Sequence, residues 1–192
     1  MKMEYDFIVK RPIDDVWKSF KDIPTVAKCM PGAELTEKLG DGNYKGNVKV
    51  KVGPFSTFFE GNAQVNFDDN NKSGFVTGNG IDKKGGNRTK LSMNFFLQEK
   101  TEGTKTIIDA DLQLSGAIAQ FGRVGLIKET ANILIGKFTE NLENELSNIN
   151  YNQNKSPDDI KINENKNNKE ITSTDLLVGF FRWLLSLLPI RK

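Results

Sequence analysis

The sequence predicts an α+β domain: a curved antiparallel sheet wrapped around a long C-terminal helix, followed by a disordered polar tether and a short C-terminal amphipathic helix. Three observations carry that prediction. Apolar residues recur with period two as far as Leu114 and with period 3.6 from about Gln120 to Leu146, and an Asn- and Lys-rich stretch then ends in an apolar run. A sheet with one apolar face and a helix with one apolar stripe must bury them against each other, which makes two layers.

The elements follow in order. Tyr5, Phe7 and Val9 alternate into a first strand. In RPIDDVWKSFKDIP, Pro12 starts a helix, acidic residues occupy its first turn, and Ile13, Val16, Trp17 and Phe20 recur at helical spacing. YKGNVKVKV then sets Tyr44, Val48, Val50 and Val52 against Lys45, Asn47, Lys49 and Lys51, so this strand has one wet side. FSTFFEGNAQVNF turns Phe55, Phe59, Ala63, Val65 and Phe67 inward. Further strands fall at Gly74 to Asp82, at TKLSMNFFLQ with Leu91, Met93, Phe95 and Leu97 inward, and at TKTIIDADLQL with Ile108, Ala110, Leu112 and Leu114 inward. The joints LGDGN, FDDNNKSG, DKKGGN and KTEGT are short turn sequences, so neighbouring strands pair antiparallel as hairpins. The long helix puts Val124, Ile127, Ala131, Leu134, Ile135, Phe138, Leu142 and Leu146 on one face. This order is the helix-grip arrangement. The expected boundaries are 1–149 for the domain, 150–173 for the tether and 174–192 for the terminal helix.

Composition removes several kinds of chemistry. The net charge is only +2, and Lys alternates with Asp and Glu without forming a basic stripe, so nucleic acid is not an expected partner. Histidine is absent, which removes the usual general base and the commonest metal ligand. Cys29 stands alone and reads as a small half-buried residue in a turn, not a metal ligand or nucleophile. GNGIDKKGG lacks the Gly-Lys-Ser/Thr ending of a phosphate loop and reads as a turn. Asp109 and Asp111 share the wet face of their strand and do not make a carboxylate pair for acid–base work. No apolar leader follows the first methionine, so the expected location is cytoplasmic.

CMPGAELTEKLGDGNYKGNVKVKVGPFSTFFEG, GNGIDKKGG and above all LSGAIAQFGRVGLIKETANILIGKFTENLENEL resemble the G-subunit family of carbon monoxide dehydrogenase, within the START-like (SRPBCC) helix-grip superfamily. The resemblance covers roughly residues 1–148 and is most specific over Gly116–Asn141. It implies a non-catalytic accessory protein of a molybdenum-containing, carbon monoxide dehydrogenase-like hydroxylase. It also implies docking at the inner face of the cell membrane and a menaquinone-like quinone held non-covalently, so that the protein would help pass electrons towards the respiratory chain. A stand-alone carrier of lipid or isoprenoid is the alternative. A cyclase- or hydrolase-like enzyme on the same scaffold is the weakest reading, because no convergent acid–base set is present.

A lipophilic ligand needs a pocket between sheet and helix, and the expected lining is Trp17, Phe59, Phe75, Met93, Phe95, Phe121, Val124 and Ala131. The same side chains can equally fill a core. Gly116, Gly122, Gly125 and Gly136 add to the pocket reading, since helical glycine costs about 1 kcal/mol relative to alanine and close approach of a ligand or backbone accounts for it. A break in the helix near Gly122 to Gly125 is the other account.

The terminal run Leu176 to Leu188 would span roughly 20 Å as a helix, against about 30 Å of hydrocarbon, and Arg182 sits in its middle. Lying flat avoids both problems. Asp175, Gly179, Arg182 and Ser186 form a polar strip, leaving Leu177, Phe180, Phe181, Trp183, Leu184, Leu187 and Leu188 to enter membrane lipid. A core or lid helix, or packing on a partner protein, is the competing reading. The tether, with a reach of roughly 25 Å as a coil and about 70 Å extended, argues against simple core packing.

Overall fold

A computed structural model of the chain describes residues 1–52, 55–121 and 124–153. Seven strands form one antiparallel sheet in the order β1-β7-β6-β5-β4-β3-β2. They are β1 (Lys2–Val9), β2 (Ala33–Gly40), β3 (Asn43–Val52), β4 (Phe55–Asp68), β5 (Ser73–Asp82), β6 (Asn87–Lys100) and β7 (Gly103–Ser115). The helices are α1 (Ile13–Lys21), α2 (Ile23–Cys29) and α3 (Val124–Gln153), with a 3-10 helix at Ala117–Phe121. The helix-grip architecture expected from the sequence is the one observed.

Consecutive strands β2 to β7 are joined as hairpins, whereas β1 crosses to the far edge and pairs with β7 from Lys2↔Asp111 to Val9↔Thr104. Turn chemistry sets those joints. Gly40, Asp41 and Gly42 all have positive φ in the β2–β3 turn, and Gly42 has no room for a side chain because a Cβ would lie 2.4 Å from the Val65 carbonyl oxygen.

One strand was not expected and two expectations shift. Strand β2 escapes the alternation rule, since register shifts at Leu35/Glu37 and Lys38/Gly40 break its period and most of its residues are exposed. The long helix starts at Val124, not near Gln120, because the preceding residues form the 3-10 helix; it then runs to Gln153, past the expected boundary at 149. Cys29 is the last residue of α2 and is buried, not half-buried in a turn. Burial pushes its thiol pKa up, away from reactivity.

One end of the two-layer interior is solid. Trp17 and Phe20 of α1, Phe95 and Leu97 of β6, and Phe138, Leu142 and Leu146 of α3 form a buried cluster. Its rings meet edge-on or tilted, Trp17 with Phe67 at 5.8 Å, Phe20 with Phe95 at 5.3 Å and Phe20 with Phe138 at 6.0 Å between centroids. The Trp17 indole N–H reaches Asp69 Oδ1 at 2.8 Å, which satisfies its one polar atom at the edge of the cluster.

Candidate functional site

Two cross-strand rows on the inner face of the sheet decide what the other end looks like. One reads Tyr44↔Ala63↔Gly78↔Leu91↔Leu112 and the next Gly46↔Gly61↔Gly80↔Thr89↔Leu114 across β3 to β7. Half of these ten side chains are glycine or alanine, so the sheet there has little with which to reach α3. A cavity of about 500 Å³ results, and both rows line it.

The first half of α3 forms the opposite wall with Ile127, Thr130, Ala131 and Leu134, and Ile23 and Ala27 of α2 reach it from the side. Phe59, Ile118 and Ile127 belong to a second buried cluster that borders this space. None of the buried polar side chains among the described residues, Ser19, Thr57, Asp82, Asn87, Thr104 and Thr106, lines the cavity. Thr130 spends its hydroxyl on the Leu126 carbonyl of its own helix at 2.9 Å. The charged boundary residues Glu34 and Lys45 are exposed, so the enclosed wall is predominantly apolar and suits an apolar guest by shape and desolvation. Val48 of β3, 42 % exposed, marks where the wall meets solvent.

A polar latch stands beside the cavity wall. Asp82 is 5 % exposed and accepts from Thr57 Oγ1 at 2.7 Å, Asn87 Nδ2 at 2.9 Å and the Gly85 and Lys84 amides at 2.9 and 3.1 Å. These donors, led by the Gly85 amide, hold its carboxyl well below the usual range, at about 2. Asn87 in turn accepts the Ile118 amide at 2.9 Å, tying the β5–β6 turn to the 3-10 helix whose Ile118 borders the cavity. Gly116 has φ +90°, and a Cβ there would lie 2.9 Å from Asn87 Oδ1, so glycine is required beside the latch.

The expected lining residues separate. Phe59 and Ala131 stand on the cavity wall. Trp17 and Phe95 lie in the solid cluster, with Met93 packed against it: Trp17 comes from α1, and Phe95 covers the glycine of its own row, Gly74, with its ring. Phe75 is 38 % exposed on the outer face, since the neighbouring Val76 takes the inward position on β5. Phe121 ends the 3-10 helix and Val124 begins α3, and their side chains lie outside the described residues. Gly122 and the terminal Leu177, Phe180, Phe181, Trp183, Leu184, Leu187 and Leu188 lie outside the described residues as well. A Cβ added at Gly125 or Gly136 would meet nothing within 4 Å, so neither marks a close approach. The strand residues Gly46, Gly61, Ala63, Gly78, Gly80 and Thr89, which sequence reasoning passed over, shape the site. Their signal is glycine at inward positions of a strand.

The family of the carbon monoxide dehydrogenase G-subunit (CoxG) matches residues 6–147. Among solved structures, a conserved protein from Geobacillus kaustophilus aligns with a TM-score of 0.68 at 18 % identity, covering 77 % of this chain and 96 % of its own. A protein from Thermus thermophilus aligns with a TM-score of 0.56 at 12 % identity over 78 % and 99 % of the two chains. The Zhui aromatase/cyclase from Streptomyces sp. R1128 gives 0.52 at 13 % identity over 77 % and 93 %. At these identities the likeness is one of fold. No curated protein sequence matches the chain. No helix among the described residues is long and apolar enough to cross a membrane.

Proposed function

The chain belongs to the CoxG family, the G-subunits of carbon monoxide dehydrogenase, and from that premise we propose that it is a non-catalytic accessory protein that holds an apolar ligand for a molybdenum-containing, carbon monoxide dehydrogenase-like hydroxylase. The ligand of this reading is a menaquinone-like quinone, and the apolar segment at 174–192 tethers the protein to the inner face of the cell membrane. The observation that carries it is the apolar cavity of about 500 Å³ behind the glycine rows. At about 30 Å³ per non-hydrogen atom that space takes roughly 17 atoms. A bicyclic quinone ring with the start of its prenyl chain has that size, so the remainder of the chain would pass out near Val48. The hydroxylase partner rests on the family, and the tether rests on the amphipathic pattern around Trp183.

The test is to purify the full-length protein from its native membranes and identify what co-extracts by mass spectrometry. One quinone per chain, together with hydroxylase subunits, supports the reading. A well-folded but empty protein reduces it to a membrane adaptor, and a bound isoprenoid with no hydroxylase makes it a stand-alone carrier.

A further inference from the structure

The outer face of the sheet is unevenly charged along its length. At the end that carries the cavity on its inner side, Lys49 and Lys51 of β3 and Arg88 and Lys90 of β6 all point outward and are exposed. They come together only through the fold: Lys49↔Phe58 joins β3 to β4, and Glu60↔Ile81↔Arg88 joins β4 to β6. Three strand spacings separate the outer members, about 14 Å. None of the four makes an ion pair among the described residues, and the acidic Glu60 between them is already matched to Lys83. Two apolar side chains stand in their midst, Phe58 at 44 % and Ile81 at 47 % exposure, diagonal neighbours on β4 and β5. At the opposite end of the same face, Asp6, Asp68 and Asp109 offset Lys100 and Lys105, and Lys105 is paired with Asp6 at 3.0 Å.

We propose that this cationic, Phe58-centred end of the outer face is a docking surface for a bilayer bearing anionic headgroups. A plane of anionic headgroups attracts unpaired lysine and arginine, and phenylalanine and isoleucine enter the interface beside them. Four exposed cations surrounding two exposed apolar side chains on an open sheet face fit a deformable headgroup layer. The inner faces of the same strands line the cavity, through Val48 and Val50 of β3, Phe59 of β4 and Leu91 of β6, so docking brings the apolar chamber beside the lipid. This docking rests on the membrane reading above but uses a different surface from the terminal segment.

The experiment measures partitioning of the full chain onto vesicles of pure phosphatidylcholine and onto vesicles with about 30 mol % phosphatidylserine, at low and physiological salt. Replacing Lys49→Glu, Arg88→Glu and Lys90→Glu together should lower binding to the anionic vesicles about tenfold or more and remove the preference over neutral ones. Phe58→Ser with Ile81→Ser should weaken anionic binding several-fold while keeping its salt dependence. Lys100→Glu at the other end should change little. All sites are exposed, and circular dichroism with thermal melts checks that each variant is folded.

Equal partitioning of the triple variant and the parent, or the same loss with Lys100→Glu, overturns the proposal. A triple variant that keeps vesicle binding but loses an acidic protein partner overturns it in favour of protein docking. Phe181→Glu with Leu184→Glu in the terminal segment tests the tether separately. That pair should reduce binding to neutral and anionic vesicles alike, so either surface can fail without the other.

Discussion

The two ends of the interior are built by the same strands and the same helix, yet one is solid and the other hollow. At the solid end, Phe67↔Gly74↔Phe95↔Ile108 spans β4 to β7, and the Phe95 ring covers Gly74 so closely that a Cβ there would lie 2.4 Å from it. At the hollow end, Tyr44↔Ala63↔Gly78↔Leu91↔Leu112 leaves Gly78 uncovered. Glycine alone does not make a void. A void needs glycine with no large neighbour leaning over it, and the chain makes that choice about two residue pairs apart along each strand.

The largest effect that sharpens the contrast comes from α3, which serves both ends. Phe138→Ala should cost about 3–5 kcal/mol, because the packed rings around it cannot collapse into the space. Leu134→Ala, which removes atoms that already face the cavity, should cost only about 1 kcal/mol. Denaturant unfolding of the two variants measures the difference, and equal losses would mean that the hollow end is as tightly packed as the solid one.

The next test separates two glycines in neighbouring cavity rows. A Cβ at Gly61 would lie 2.0 Å from the Asn79 carbonyl oxygen, so Gly61→Ala should destabilise by about 1–3 kcal/mol. A Cβ at Gly78 meets only the Asn62 carbonyl oxygen at 3.6 Å and Leu91 Cβ at 4.0 Å, both ordinary contacts. Gly78→Leu should therefore fold with stability within about 1 kcal/mol of the parent while filling the cavity. Co-extracted lipid measured by mass spectrometry should fall with Gly78→Leu. Unchanged ligand content would place binding elsewhere.

A smaller effect belongs to the latch at the hollow end. The Asp82 carboxyl titrates near 2 when folded, below its ordinary value of about 4 when unfolded, so its contribution is complete above that value and is lost as pH falls towards 2. Amide exchange at Ile118 should quicken over that window before exchange at Leu142 does. Asp82→Asn should abolish the difference, and simultaneous exchange at both amides would break the picture of two separable ends. The smallest effect lies in the solid end, where the fully buried Thr106 hydroxyl has no hydrogen-bond partner among the described residues. Thr106→Val should be neutral or stabilising by about 1 kcal/mol in a thermal melt, and a clear loss would show that the hydroxyl is satisfied.

Period two was enough to find six of the seven strands and to face most of them correctly, because side-chain alternation is written residue by residue. Strand β2 was hidden by its bulges, and Phe75 was misfaced because glycines on either side of Val76 erase the contrast that fixes register. The cavity was harder for a physical reason. Large apolar residues such as Trp17 and Phe95 announce themselves, but they fill space; Gly78 and Gly80 make space and carry no side chain to notice. The cationic end of the outer face was equally invisible along the chain, since Lys49 and Arg88 become neighbours only after three strands have paired.

The pairing of β1 with β7 also sets an order of events. Strand β1 leaves the ribosome before every other described element, yet its partner among the described strands begins at Gly103. At roughly 5–20 residues per second, the intervening stretch of about 100 residues takes on the order of 5–20 s to synthesise. During that interval Tyr5, Phe7 and Val9 have no sheet to join, while β2 to β6 can pair hairpin by hairpin with local contacts. The earliest of the described strands is thus the last of them to find its place, and the time it spends waiting is the period in which the nascent chain most needs protection from aggregation.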